Sequence, residues 1–296
     1  MKKLFCMLLT LCLLFGTGAR AQSEPVRIVL WHSMSEEAGV LMEKYVRQFN
    51  DTLGKEKGIV VETVFQGKYS DAVSKMNSIL SAGQADTLPD VMQLDATGKV
   101  SYAAADIAYT ADAALSEYAG ADLDDYLAPA LANWQLSGVQ LGLPFATSTT
   151  VTYYNRTVLE AAGFSAPDTL EDIGKMAPLA KDGVRVYACV PNTPALANWL
   201  GQMGSDVVNN RNGSEGTASS LDCVENGALA RFLTDWKELY ATGALENTSA
   251  SSDDFAAGRL LVMTSSSSSI SSLLESIGGS FEMGVSPYPR ADAQDD

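Results

Sequence analysis

Histidine is almost absent from this sequence: His32 is the only one among 296 residues. A histidine-rich metal centre is thereby excluded, and no Cys/His grouping has zinc-ligand spacing. A Ser-His-Asp triad could draw only on His32, and no G-x-S-x-G elbow is present to position its serine. Neither GxGxxG nor GxxxxGK occurs, so the glycine loops that cradle nucleotide phosphates are missing and no cofactor is expected. Cations are scarce as well. Twenty Lys and Arg face 36 Asp and Glu, a formal net charge of −16. That balance argues against nucleic acid and anionic membranes as partners. Cysteines number four.

What is present begins with an export signature. Lys2 and Lys3 precede the apolar run Leu4–Phe15, which is too short to span a bilayer comfortably, and Ala19-Arg20-Ala21 offers small residues at a cleavage site. Residues 1–21 therefore read as a signal peptide cleaved after Ala21, with Cys12 a weak lipidation candidate because Leu11 precedes it. Cleavage moves the charge from −16 to −19, since Lys2, Lys3 and Arg20 leave and no acid does. Cys6 and Cys12 leave too. Cys189 and Cys223 remain in an oxidising compartment, where an even count predicts a disulfide between them. Apolar residues make up 46% of the chain, enough for sizeable cores in two domains.

Along the chain, Val26–Trp31, Ile59–Phe65 and Leu88–Asp95 have strand composition, and helical spacing recurs between them at Met42–Leu53 and Ser70–Ala82. This β-α-β-α-β order predicts a parallel sheet with helices on both faces and ligands outside the C-terminal strand ends. Thr97–Ala114 reads as an Ala-rich helix. Further on, Val184–Val190 reads as a strand. Leu229, Phe232, Leu233, Trp236, Leu239 and Tyr240 form an apolar helical stripe, and Phe281–Pro289 reads as a last strand. The most informative stretch is Leu141–Asn155: Pro144 and Phe145 break an apolar run, Ala146–Thr150 is small and hydroxyl-rich, and Val151–Tyr154 is β-branched and aromatic. It reads as a crossover between two bodies that also lines a ligand cleft.

Four segments then resemble, in order and spacing, the family-1 extracellular solute-binding proteins of ABC importers, in particular those that bind sn-glycerol-3-phosphate and glycerophosphodiesters. They are LWHSM at 30–34, QGKY at 66–69, LPFATSTTVTYYN at 143–155 and FAAGRLLVMTSSSS at 255–268. The resemblance implies an α/β, two-lobed periplasmic-binding-protein fold of the hinged type II. It also implies a monomer that delivers a sugar or glycerol phosphate to a membrane permease without chemistry. It divides the mature chain into a first lobe at 22–143, a hinge crossover at 144–150, a second lobe at 151–284 and the start of a return crossover at 285–296. Members of the family continue beyond the equivalent of Pro289, so the second pass into the first lobe is expected to be incomplete here. Two positions depart from the subgroup. Ala96, beside Asp95, stands where a carboxylate is expected, and no tryptophan lies near Asn192–Pro194, Trp199 being the nearest.

The ligand set expected from these readings is Trp31, His32, Ser33, Tyr69, Asp95, Thr147, Ser148, Ser266 and Ser267. Tyr69 offers an apolar wall with a polar tip, and Asp95 can accept from polyol hydroxyls. Ser265–Ser269 precedes a helix and suits three roles: holding a phosphate, hydrogen-bonding a neutral sugar, or capping only. An exported α/β hydrolase acting on glycosides or esters is the alternative to a binding protein.

Overall fold

The computed structural model describes residues 24–104, 107–118, 120 and 122–291. The expected signal peptide and its cleavage site lie outside these residues. The chain divides between Tyr109 and Thr110 into two compact units. Among the described residues no helix is long and apolar enough to cross a membrane.

Unit 1 is built on β1 (Val26–His32), which pairs in parallel with β2 (Ile59–Phe65) from Val26↔Ile59 to His32↔Phe65. Its other edge pairs with β3 (Val91–Met92), giving the order β2-β1-β3. Helix α1 (Glu36–Phe49) connects the first two strands, starting at Ser35, whose side chain makes no cap bond. It unwinds through a wider turn at Asn50–Gly54, and the Asn50 amide there brackets β2, donating to Val61 C=O at 2.9 Å and accepting from Val61 N–H at 2.8 Å. Gly58, at φ +68°, closes the unit in the left-handed region that suits glycine. Helix α2 (Tyr69–Ser81) buries Ala72 and Met76. Asp71 accepts the Lys68 N–H at 2.9 Å at its start.

The third strand is far shorter than its composition suggests. Pro89 has no N–H to give to a ladder. On either side of β3, side chains replace the backbone: Asp90 accepts the Val29 N–H at 2.8 Å, and Gln93 accepts the Ser33 N–H at 3.0 Å. The Ala-rich stretch beyond it is likewise not one helix. It splits into α3 (Lys99–Ala104) and α4 (Ala111–Glu117), because Thr110 caps a fresh helix by accepting the Ala113 N–H at 3.2 Å.

Unit 2 begins with α4, so residues 110–143 are grouped with it and not with unit 1. The bonds explain this. Ala111 N–H donates to Leu141 C=O at 3.2 Å, and Asp112 accepts the Gln140 N–H at 2.8 Å. These tie α4 to the hairpin of β4 (Gln135–Leu136) and β5 (Val139–Gln140). Positive φ at Ser137 and Gly138 makes the two-residue turn, and Ser137 N–H donates to Ser214 C=O at 2.7 Å.

The main sheet of unit 2 has the order β10-β6-β9-β7-β8. Its strands are β6 (Thr150–Asn155), β7 (Arg185–Ala188), β8 (Leu245–Glu246), β9 (Leu260–Ser266) and β10 (Met283–Ser286). β6 runs antiparallel to β9 and β10, while β7 is parallel to β9 and β8. Each face carries a core. On one, α5 (Thr193–Gln202) and α6 (Ala228–Ala241) bring Trp199, Phe232 and Trp236 together with Tyr187 and Val262. Trp199 stacks on Phe232 at 5.0 Å between ring centres, lies 5.1 Å from Tyr288, and donates to Pro289 C=O at 2.9 Å. On the other face, α7 (Ile270–Ile277) packs Leu273 and Ile277 against Tyr153, Phe255 and Met263. Tyr153 and Tyr154 thus enter opposite cores, as strand alternation requires.

Two sequence expectations fail in unit 2. The α6 stripe is narrower than its composition implies: Phe232, Trp236 and Leu239 are buried, but Leu233 and Tyr240 are 53% and 60% exposed, one position round the helix. The Cys189–Cys223 disulfide is not formed, and both cysteines are buried and free. Cys189 directly follows β7 (Arg185–Ala188). Cys223 sits at the start of the short helix Asp222–Glu225.

Candidate functional site

In unit 1 the polar side chains gather at the C-terminal strand ends. Gln93, just past β3, links two of the expected residues: it accepts the Ser33 N–H at 3.0 Å and donates to Tyr69 Oη at 3.1 Å. Tyr69 opens α2 and is half-buried. Burial, and then the Asp95 carboxylate, push its phenol up; the same two causes push up Tyr102. Ser33, Tyr69, Gln93 and Asp95 therefore form one polar group. Sequence reading misses Gln93, although a polar residue directly after a short apolar strand is the signal for it.

Trp31 and His32 belong to the fold more than to this group. Trp31 is buried with Lys75 Nζ 4.2 Å from its ring centre. His32 is buried with its ring 5.7 Å from that of Phe65. His32 Nδ1 and Ser33 Oγ are buried without a hydrogen-bond partner. An imidazole without a donor or acceptor at Nδ1 is not oriented as a catalytic base. The hydrolase alternative therefore gains no support.

In unit 2, Thr147 and Ser148 lie exposed in a segment without regular structure. Immediately after them Thr149 joins Ser267: the Ser267 N–H donates to Thr149 C=O at 2.7 Å, and the Thr149 N–H donates to Ser267 Oγ at 3.1 Å. Ser267 is thus used structurally. Ser266 Oγ accepts the Ser268 N–H at 3.2 Å, and its carbonyl accepts from Tyr153 Oη at 2.8 Å. Ser266 still borders a cavity of about 290 Å³. Thr150, Thr264 and Ser265 line it from the β6 and β9 side, Asn192 and Asn198 from around α5, with Cys189, Ser249 and Tyr288 between. Tyr288 is 9% exposed and its hydroxyl has no partner. Burial, then the neighbouring Cys189, push the Tyr288 phenol far up, and burial raises the Cys189 thiol. No group of three or more His, Cys, Asp and Glu side chains among the described residues could hold a metal.

A small parallel sheet in one unit and a mixed five-stranded sheet in the other, each with polar groups at strand ends, is the architecture of the type II periplasmic binding proteins. The sugar-binding protein MalE of Xanthomonas citri superposes with a TM-score of 0.72 over 90% of this chain and 67% of its own, at 18% identity. UgpB of Mycobacterium tuberculosis, solved with glycerophosphocholine, gives 0.70 over 90% and 65%, at 20% identity. The family model described as bacterial extracellular solute-binding protein matches residues 44–295, and the chain belongs to that family. Among curated relatives, the sn-glycerol-3-phosphate-binding periplasmic protein UgpB of Yersinia pseudotuberculosis is 24% identical over 98% of this chain. The corresponding protein of Rhizobium meliloti is 23% identical over 93%. The chain spans 66% and 65% of their lengths.

Proposed function

We propose that this chain is the ligand-capturing component of an ABC importer. It binds a carbohydrate or an sn-glycerol-3-phosphate-type molecule outside the cytoplasmic membrane and hands it to a membrane permease, unchanged. The observation that carries this reading is the family match across residues 44–295. In it, unit 1 offers Ser33, Tyr69, Gln93 and Asp95 as ligand-binding residues, and unit 2 offers Thr147, Ser148 and Ser266. The protein is exported after cleavage at Ala21 and works as a monomer, with closure driven by the ligand's higher affinity for the closed state.

The test is a thermal-shift panel of maltose, trehalose, sn-glycerol-3-phosphate and glycerophosphocholine on the purified chain, with small-angle scattering on any hit. A ligand at 100 times its Kd adds about 2.7 kcal/mol of stability. A shift with one of these solutes and a smaller radius of gyration is expected. No shift with any of them, or turnover of a bound solute, would sink the reading.

A further inference from the structure

If the chain captures a solute, as proposed, the unit 2 cavity constrains the charge of that solute. None of the residues lining the cavity is Lys, Arg, His, Asp or Glu. Its two ionisable members, Cys189 and Tyr288, are both shifted by burial towards their neutral forms.

Proteins without a cation in a site can still hold a phosphate on free N–H groups at a helix N-terminus. At the two helix starts nearest this cavity, the backbone N–H groups that have recorded acceptors are not available to a phosphate. At the start of α5, Pro194 has no N–H, and the Ala195 N–H is taken by Asn192 Oδ1 at 3.1 Å. In the serine run ahead of α7, the Ser267 N–H goes to Thr149 C=O at 2.7 Å and the Ser268 N–H to Ser266 Oγ at 3.2 Å. A phosphate placed here would lose its hydration, meet no cationic side chain and find the Ala195, Ser267 and Ser268 N–H groups taken, which is unfavourable.

The lining offers neutral donors and acceptors instead: the Asn192 Nδ2 and the Asn198 amide, the Ser249 hydroxyl, the hydroxyls of Thr264 and Ser265, each with one partner at 3.3 Å in Tyr187 Oη and Ser269 Oγ, and the unpartnered hydroxyl of Tyr288. These match the alternating donor and acceptor character of sugar hydroxyls. The volume of about 290 Å³ suits one ring of a sugar and lies at the small end for ligand pockets. We infer that this cavity selects an uncharged, hydroxyl-bearing group, a sugar ring, over a phosphate, and that Tyr288 donates its hydroxyl proton to that group. The group held in this cavity is therefore neutral and hydroxyl-bearing, in contrast to the phosphate of the glycerol phosphate named for the curated relatives.

Isothermal titration of the purified chain and of Tyr288→Phe with glucose, maltose, trehalose, sn-glycerol-3-phosphate and glycerophosphocholine tests this. The expected result is binding of at least one sugar and no binding of the two phosphates. Tyr288→Phe should weaken the sugar about tenfold, as loss of one ligand hydrogen bond does. The thermal midpoint of the unliganded variant should not fall, which separates a ligand contact from a structural one. Tighter binding of either phosphate than of every sugar overturns the inference and leaves solute capture standing. So does sugar affinity that is unchanged in Tyr288→Phe. Silence towards the whole panel removes both readings together.

Discussion

Thr149 and Ser267 hold each other by two hydrogen bonds, one from each backbone N–H, and so extend the β6–β9 pairing past Thr150↔Ser266. Only one of the two uses a side chain. Ser267→Ala removes the bond to Ser267 Oγ and keeps the backbone bond. The expected cost is about 1 kcal/mol of unit 2 stability in urea denaturation. No change in stability would show that water replaces the hydroxyl without loss.

Tyr288 gives the opposite expectation. Its hydroxyl is buried and unpartnered, so the free protein carries an unfavourable desolvation. Tyr288→Phe keeps the ring that packs 5.1 Å from Trp199 and should raise the thermal midpoint of the ligand-free chain. A lower midpoint would mean that the hydroxyl has a partner after all.

Phe232 packs against both Trp199 and Trp236, with ring centres at 5.0 and 5.6 Å, and the two indoles touch each other at 5.2 Å. Phe232→Ala opens a cavity beside the two indoles, and the expected loss is about 3–5 kcal/mol by chemical denaturation. A loss below about 1 kcal/mol would mean that the neighbouring rings collapse into the space.

Both thiols should titrate in protein that is denatured without reductant, since Cys189 and Cys223 are free. In the native state burial holds the Cys189 thiol above its usual range, so its reaction with a thiol reagent at about pH 8 should be slow. A denatured chain with no free thiol would restore the disulfide expectation.

Asp254 controls part of the acid limb. The hydrogen bond from Arg259, joined by the charges of Arg259 and Arg185, holds its carboxyl below the usual range. A depressed folded-state pKa contributes stability that is present above the unfolded value of about 4 and lost as pH falls through the folded one. Asp254→Asn should therefore be less stable at about pH 7 and lose less on acidification towards about pH 3. Parallel curves for the two proteins across that window would rule this out.

How much of the fold and site is legible in the sequence depends on how local the signal is. β2 has the ends its composition predicts, because Ile59–Phe65 is an unbroken β-rich run closed by Gly58 and Gly67. The third strand falls short of its apparent length because composition cannot show that Asp90 and Gln93 replace backbone bonds with side-chain ones. The same blindness hides Gln93 from the candidate site. Thr147, Ser148 and Ser267 are candidates for their hydroxyls alone. Composition cannot show that Ser267 Oγ is taken by the Thr149 N–H. The disulfide expectation rests on parity and compartment, which carry no information about where Cys189 points. The α6 stripe gives the right helix and too wide a face, since six apolar residues over-fill the arc that three of them bury.

The aromatic stack around Trp199 also makes unit 2 readable by light. Trp199 is sealed from solvent, bonded to a backbone carbonyl and walled by rings, so its emission should sit well to the blue of an exposed indole. Tyr288 touches both that ring system and the cavity. A molecule entering the cavity would thus be announced by intrinsic fluorescence, without any label. Unit 1 holds Trp31 under the Lys75 ammonium, a differently quenched reporter of its own. Single-tryptophan variants would let the melting of each unit be followed separately in one intact chain.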